Sequence, residues 1–111
     1  MYVFRGGERV ERAGFVLPIQ PDKVDEYVIA HANVWPEMCD AIQEAGIQNY
    51  SIYQYGNLAI GYLEADDVAA SFEALGKTEV NARWQEAMAH LLESRVGEDG
   101  PDGLTEIFHL D

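Results

Sequence analysis

Several features that would mark a particular class of protein are scarce in this sequence. A single cysteine, Cys39, stands among 111 residues, so no disulfide can form within the chain. No apolar run approaches the length of a membrane span, and the N-terminus lacks the apolar core of a secretory signal. These absences predict a cytoplasmic protein that does not enter a membrane, because a lone thiol suits a reducing compartment.

Basic side chains are also scarce. Seven lysines and arginines stand against twenty aspartates and glutamates, which gives a formal net charge of −13. Nucleic acids and anionic lipids attract lysine and arginine, so neither is an expected partner. The acidity itself is explained by solubility. A small neutral molecule fits this charge balance better than an anion does.

Motifs for cofactors and for common catalytic machinery are missing as well. The chain has no glycine-rich loop followed by Lys-Ser or Lys-Thr, no GxGxxG after the first strand and no GxSxG elbow. His31 and Cys39 lie eight positions apart with no further thiol, which is a poor pattern for a metal site. The sequence therefore predicts neither a cofactor nor a metal.

Length and hydrophobic content favour one compact domain over residues 1–111. The chain is 48% hydrophobic, which is enough for a real core at this size. Residues 1–11 are predicted to form an irregular leader, because Gly6 and Gly7 break any periodicity. The folded part is predicted to span residues 12–110.

Hydrophobic periodicity predicts the order of the elements. Ala13, Phe15, Leu17 and Ile19 alternate as in a half-buried strand. A helix follows from Pro21, is interrupted at Pro36 and stops at Gly46. The second half of the chain predicts a hairpin around residues 55–57 and a helix that is capped by an aspartate and ends at Gly76. It then predicts a helix over 78–94 capped by Thr78, a loop over 96–103 and a closing strand over 104–111.

This order is that of the ferredoxin-like α+β plan. It places helices on one face of a four-stranded antiparallel sheet. The second face of such a sheet is bare, so the pattern predicts a homodimer.

One helical stretch combines aromatic residues with a histidine. Tyr27, His31 and Trp35 are spaced by four residues and therefore share a face until Pro36 breaks the helix. One interpretation is a core histidine whose hydrogen bond is satisfied. The other is a general acid–base at the mouth of a pocket, because histidine titrates near neutrality. Periodicity alone does not separate the two.

Four sequence blocks resemble a known family. "HANVWPEM" resembles the H-x-x-x-W-P-E signature of the L-rhamnose mutarotases, which are small dimeric α+β barrel proteins. "NYSIY", "ARWQEAM" and "LTEIFHL" match further blocks of that family in the same order. The resemblance spans roughly residues 12–110 and implies a cofactor-free sugar isomerase that acts on a small neutral monosaccharide as a homodimer.

The resemblance also implies roles for individual residues. His31 corresponds to the family's catalytic proton donor. Tyr27 and Tyr50 correspond to two tyrosines that contact the sugar. Trp84 corresponds to the first member of a tryptophan pair that lines the pocket, whereas Gln85 stands where the family has the second tryptophan. This departure leaves the identity of the sugar open.

Mutarotation interconverts the α and β anomers of a reducing sugar through ring opening and closure. The expected mechanism has His31 protonate the ring oxygen on opening, while the hydroxyl of Tyr27 or Tyr50 holds the anomeric proton. Trp84 and Trp35 would form apolar walls for a sugar whose sixth carbon is a methyl group.

Three alternatives remain at this point. The first is the same reaction on L-fucose or another 6-deoxy or pentose sugar, with Gln85 bonding a differently oriented hydroxyl. The second is a cofactor-free oxygenase or polyketide cyclase, since related α+β barrel dimers include both. The third is a sugar-binding module in which His31 is structural.

Overall fold

The computed structural model of the protein describes residues 2–5, 8–94, 96 and 101–110. Its strands are β1 (Tyr2–Arg5), β2 (Glu8–Pro18), β3 (Gln48–Tyr55), β4 (Leu58–Ala65) and β5 (Asp102–Leu104). Its helices are α1 (Val24–Ala32), α2 (Pro36–Glu44), α3 (Val68–Gly76) and α4 (Glu79–Met88), with single 3-10 turns at Pro21–Lys23 and Ala89–Leu91.

The strands form one antiparallel sheet in the order β1-β2-β4-β3, and β5 also pairs with β2. The four strands β5-β2-β4-β3 make up the ferredoxin-like sheet. Phe15 and Leu63 on the sheet, and Ile19 just after β2, share a single core with Met38 and Trp84 on the helices. The predicted α+β fold, with helices packed on one face of the sheet, is confirmed.

The predicted irregular leader is wrong for the described residues before Arg12. Tyr2–Arg5 is strand β1, and β2 begins at Glu8, four residues earlier than predicted. The two strands pair in register from Tyr2↔Glu11 to Arg5↔Glu8, which gives the backbone of both segments hydrogen-bond partners. Gly6 and Gly7, on which the prediction rested, lie outside the described residues.

The closing strand is also displaced from its predicted position. β5 occupies Asp102–Leu104 and pairs with β2 from Val16 to Gly14, whereas the described residues 105–110 are not in a strand. Part of the reason is competition for one edge of β2: β1 already pairs with Glu8–Glu11, the residues that 107–110 would meet if the register of β5 continued. The predicted loop over 96–103 therefore ends before Asp102, and its residues 97–100 lie outside the described part.

The break at Pro36 is confirmed. α1 ends at Ala32 and α2 begins with Pro36, where a missing N–H costs nothing. Trp35 adopts the extended backbone expected before proline, and its carbonyl accepts hydrogen bonds from the N–H groups of Met38 and Cys39 at 3.0 and 3.1 Å. The break thus sets the direction in which the chain leaves α1.

The predicted turns and caps are found where the sequence places them. Gly56, between β3 and β4, has φ +57°, and Gly46, after α2, has φ +91°; both conformations favour glycine. Asp67 accepts a hydrogen bond from Ala70 N–H at 3.0 Å, and Thr78 accepts one from Asn81 N–H at 3.2 Å. The last predicted helix is shorter than expected, because it tightens into a 3-10 turn after Met88.

Phe15 and Gly61 pack closely on the helix-covered face of the sheet. They are opposite one another in the β2–β4 register, and a Cβ added to Gly61 would lie 2.1 Å from two atoms of the Phe15 ring. Only glycine leaves room for this ring position.

The opposite face of the sheet carries exposed aromatic side chains. Tyr53 and Tyr55 are 66% and 77% exposed, and in the register they lie opposite Ile60 and Leu58. None of the helices in the described ranges is both long and apolar enough to cross a lipid bilayer.

Candidate functional site

A cavity of about 1120 Å³ is lined by residues of β2, β3 and all four helices. Five of the six predicted site residues contribute to its wall: Tyr27, His31, Tyr50, Trp84 and Gln85. They come from three separate elements, α1, β3 and α4, so the fold gathers residues that are up to 58 positions apart in the sequence.

The helix α1 supplies the histidine and one tyrosine. His31 follows Tyr27 by one turn, and their rings stack with centroids 4.1 Å apart and planes 29° apart. Tyr27 is only 5% exposed, whereas His31 is half-buried. The stack fixes the plane of the imidazole against the cavity wall.

A backbone hydrogen bond fixes the tautomer of His31. Its Nδ1 lies 2.9 Å from the carbonyl oxygen of Tyr27. A carbonyl only accepts, so Nδ1 carries the hydrogen and Nε2 is the atom that exchanges a proton. Burial lowers the pKa of His31 from its ordinary value of 6.5, and the bond to Tyr27 opposes this effect only in part. Above pH 6.5 the imidazole is therefore mainly neutral, with a lone pair on Nε2.

Two tryptophans extend this aromatic contact. Trp84 is buried on α4 and meets His31 edge to face, with centroids 5.5 Å apart and planes at 81°. Trp35 in turn meets Trp84 at 5.1 Å and 90°. Trp35 does not line the cavity, which differs from its predicted place as a second wall. It stands behind Trp84 and supports that ring.

The second tyrosine reaches the cavity through an irregularity in β3. The register with β4 shifts between Gln48 and Ser51, and Asn49 has φ +49°. The Asn49 amide donates to the buried carboxylate of Glu64 at 2.9 Å, which holds this bulge in place. Tyr50 is thereby turned toward the helices and packs edge to face on Phe15 at 6.1 Å.

Both tyrosines are held in the neutral form. Burial raises the pKa of Tyr27 to about 12. Burial also raises the pKa of Tyr50, and the nearby phenol of Tyr27 raises it further. At neutral pH they can donate and accept hydrogen bonds to a neutral ligand without carrying charge.

An amide pair on α4 completes the polar lining. Gln85 Nε2 donates to Asn81 Oδ1 at 3.2 Å, and both residues line the cavity. Asn81 was not predicted from the sequence. The available signal was its position one helical turn before Gln85, which places both amides on the same face of the helix.

Known sequences match almost the whole length of this chain. A model of the L-rhamnose mutarotase family matches residues 12–110. The L-rhamnose mutarotase of Oceanobacillus iheyensis is 34% identical over 106 residues, covering 92% of this chain and 100% of that protein. That of Bacillus subtilis is 34% identical over 110 residues, covering 92% of this chain and 100% of that protein.

Solved structures share the fold. The crystal structure of an L-rhamnose mutarotase from Formosa agariphila has a TM-score of 0.72 at 22% identity, covering 91% of this chain and 99% of that one. The polyketide cyclase tetracenomycin F2 cyclase from Streptomyces glaucescens has a TM-score of 0.59 at 18% identity, covering 91% and 97%. At these identities the solved structures show only that the fold is shared, whereas the sequence matches show the family. The chain belongs to the L-rhamnose mutarotase family, a group of enzymes that isomerise carbohydrate anomers.

Proposed function

We propose that the protein interconverts the α and β anomers of L-rhamnose, or of a related 6-deoxy sugar, without a cofactor. Family membership supports the reaction class. The observation that carries the proposal is the state of His31: a cavity-lining imidazole whose Nδ1 is engaged by the Tyr27 carbonyl, leaving Nε2 as its proton-exchanging atom. A base of this kind suits a reaction that only moves protons.

In the proposed first step, neutral His31 acts as the base. Its Nε2 takes the proton of the anomeric hydroxyl, the O–H electrons form the C1 carbonyl, and the bond from C1 to the ring oxygen breaks with its electrons going to that oxygen. The imidazolium then returns the same proton to the ring oxygen. His31 thus keeps its predicted role as donor to the ring oxygen and has an earlier role as acceptor.

The remaining steps need rotation and reversal. Rotation about the bond between C1 and C2 presents the other carbonyl face, and His31 runs the proton transfer backwards as the ring closes. The hydroxyls of Tyr27 and Tyr50 hydrogen-bond to the sugar oxygens as neutral groups, because the pKa values of both are raised by burial. They are poor proton donors but effective positioning groups.

Recognition of a neutral sugar is consistent with the wall chemistry. Trp84 offers a buried aromatic surface suited to C–H edges and to a methyl group at C6, while the tyrosines and Gln85 offer partners for hydroxyl groups. L-fucose also carries a methyl group at C6, so an apolar wall does not distinguish it from L-rhamnose, and L-fucose is a substrate to compare.

The proposed assembly is a cytoplasmic homodimer. The exposed face of β3 and β4, with Tyr53 and Tyr55, is the surface on which we place the second copy. Light scattering at micromolar concentration is expected to give twice the mass of one chain, and a monomeric mass would contradict the assignment.

Saturation transfer in proton NMR between the two anomer signals of L-rhamnose tests the activity directly. Wild-type protein is expected to accelerate exchange, and His31→Gln to reduce the protein-dependent rate by about 10²–10⁴-fold. His90→Gln is the matched control, because His90 is exposed and does not line the cavity. Wild-type rates in a folded His31→Gln variant would remove His31 from the mechanism, and acceleration with L-fucose alone would change the substrate.

A further inference from the structure

We propose that Asn81 and Gln85 form a two-point recognition unit that binds two adjacent hydroxyl groups of the sugar and so determines which sugars react. The inference rests on the proposed mutarotase function and names the part of the site that reads the substrate. It does not follow from the reaction itself, since proton shuttling needs His31 and not an amide.

The pair is positioned before any ligand arrives. Thr78 caps α4 through a 3.2 Å hydrogen bond from Asn81 N–H, so the backbone of Asn81 is fixed in the first turn. The bond from Gln85 Nε2 to Asn81 Oδ1, at 3.2 Å, then fixes both side chains relative to each other. Little side-chain freedom is left to lose on binding, which favours selectivity.

The internal hydrogen bond decides which atoms remain for a ligand. It uses the oxygen of Asn81 and one hydrogen of Gln85. Asn81 Nδ2 therefore keeps its donors and Gln85 Oε1 keeps its acceptor positions. Adjacent hydroxyls of a sugar supply the complement, because one oxygen can accept from Asn81 while its neighbour donates to Gln85.

The surroundings make a missing hydroxyl costly. Both residues are half-buried in the cavity wall beside the buried ring of Trp84. A sugar that fills this space without a hydroxyl would cover an amide and leave it unpaired, which is penalised far more than the loss of an exposed hydrogen bond. Recognition by neutral amides also fits an uncharged sugar.

The test compares L-rhamnose with its 2-deoxy, 3-deoxy and 4-deoxy analogues. For each, kcat/KM is measured by saturation transfer and the dissociation constant by ligand line broadening. The wild type is expected to disfavour two analogues, deoxygenated at adjacent positions, by about 10-fold each. Asn81→Leu removes the donors and supplies no other group that a sugar hydroxyl could bond, so it should abolish the discrimination at one of these positions. Gln85→Leu should abolish the discrimination at the other.

Ala82→Gln is the matched control, since it adds an amide to an exposed position of the same helix. It should leave the wild-type preferences unchanged. Unaltered discrimination in both Asn81→Leu and Gln85→Leu would overturn the proposal, as would a wild type that treats all analogues alike. If the protein accelerates the exchange of L-rhamnose but the two variants keep the wild-type discrimination, only the recognition unit is refuted, and the proposed mutarotase function stands. If no sugar is accelerated, the proposed function fails, and the dissociation constants alone decide whether the amides bind adjacent hydroxyls.

Discussion

The order of proton transfer at His31 can be tested by acidification. Burial lowers the pKa of this imidazole below 6.5, and the Tyr27 carbonyl holds the hydrogen on Nδ1. With a pKa below 6.5, more than about three quarters of the molecules carry neutral imidazole at pH 7. If neutral His31 starts the reaction, kcat/KM should level off at pH values above the lowered pKa and fall about tenfold per pH unit well below it.

The assay is the protein-dependent exchange rate between pH 4.5 and 8, with the spontaneous rate subtracted at each pH. The nitrogen chemical shifts of His31, followed over the same range, report its pKa and tautomer independently. The two inflections should coincide. A rate that rises as the pH falls through the His31 pKa would refute the base-first order, because it would require the imidazolium as the starting species.

The pH dependence of the free energy of unfolding provides a second test of the lowered His31 pKa, and its direction can be predicted. The unfolded chain binds a proton at His31 with the ordinary pKa of 6.5, whereas the folded chain resists protonation. The contribution of this residue to the free energy of unfolding is therefore complete above pH 6.5 and is lost as the pH falls through the lowered pKa. Wild type should lose more stability than His31→Gln between pH 7 and 5 in urea titrations. Parallel curves would show that the pKa of His31 does not change on folding.

Two further predictions concern the cavity-lining tyrosines and the contact between Phe15 and Gly61. Tyr27→Phe and Tyr50→Phe should each reduce kcat about tenfold, since each variant loses one neutral hydrogen bond, while the fall in rate at acidic pH stays in place. The wild-type rate should stay flat to about pH 10, because the pKa of Tyr27 is raised to about 12. A fall in rate centred below pH 10 would instead assign a tyrosine as the acid. Gly61→Ala should lower the free energy of unfolding by about 1–3 kcal/mol in denaturant titrations, because the new Cβ would displace the Phe15 ring. Wild-type stability there would refute the close contact.

The elements predicted correctly are those decided by local chemistry. Pro36, Gly56 and Thr78 act through their own backbone or side chain, and each marks a boundary in the structure. The two ends of the chain were predicted wrongly for a long-range reason. β1 and β5 share one edge of β2, and no local pattern shows which of them pairs with a given residue of that strand.

The site residues likewise fall into those that the sequence placed correctly and those that it misplaced or missed. Helical spacing placed Tyr27 beside His31, and the family resemblance brought Tyr50 and Trp84 to them. Spacing could not place Trp35, because it lies after the end of α1, where the side chain no longer follows the face of that helix. Asn81 was missed for a different reason: an asparagine in the first turn of a helix is ordinary until the cavity beside it is known.

The helix break at Pro36 determines the positions of several residues of the site. It ends α1 just after His31, so the imidazole lies in the last turn, where the helix dipole favours a cation. Burial against Tyr27 and Trp84 opposes that tendency and prevails, since the pKa of His31 is lowered overall. The same break carries Trp35 behind Trp84, which keeps that ring against the imidazole. A continuous helix would place residue 35 on the face of Tyr27 and His31 and leave Trp84 without this support. The helix break therefore positions both His31, the proposed base, and Trp84, the ring whose packing helps to lower the pKa of His31.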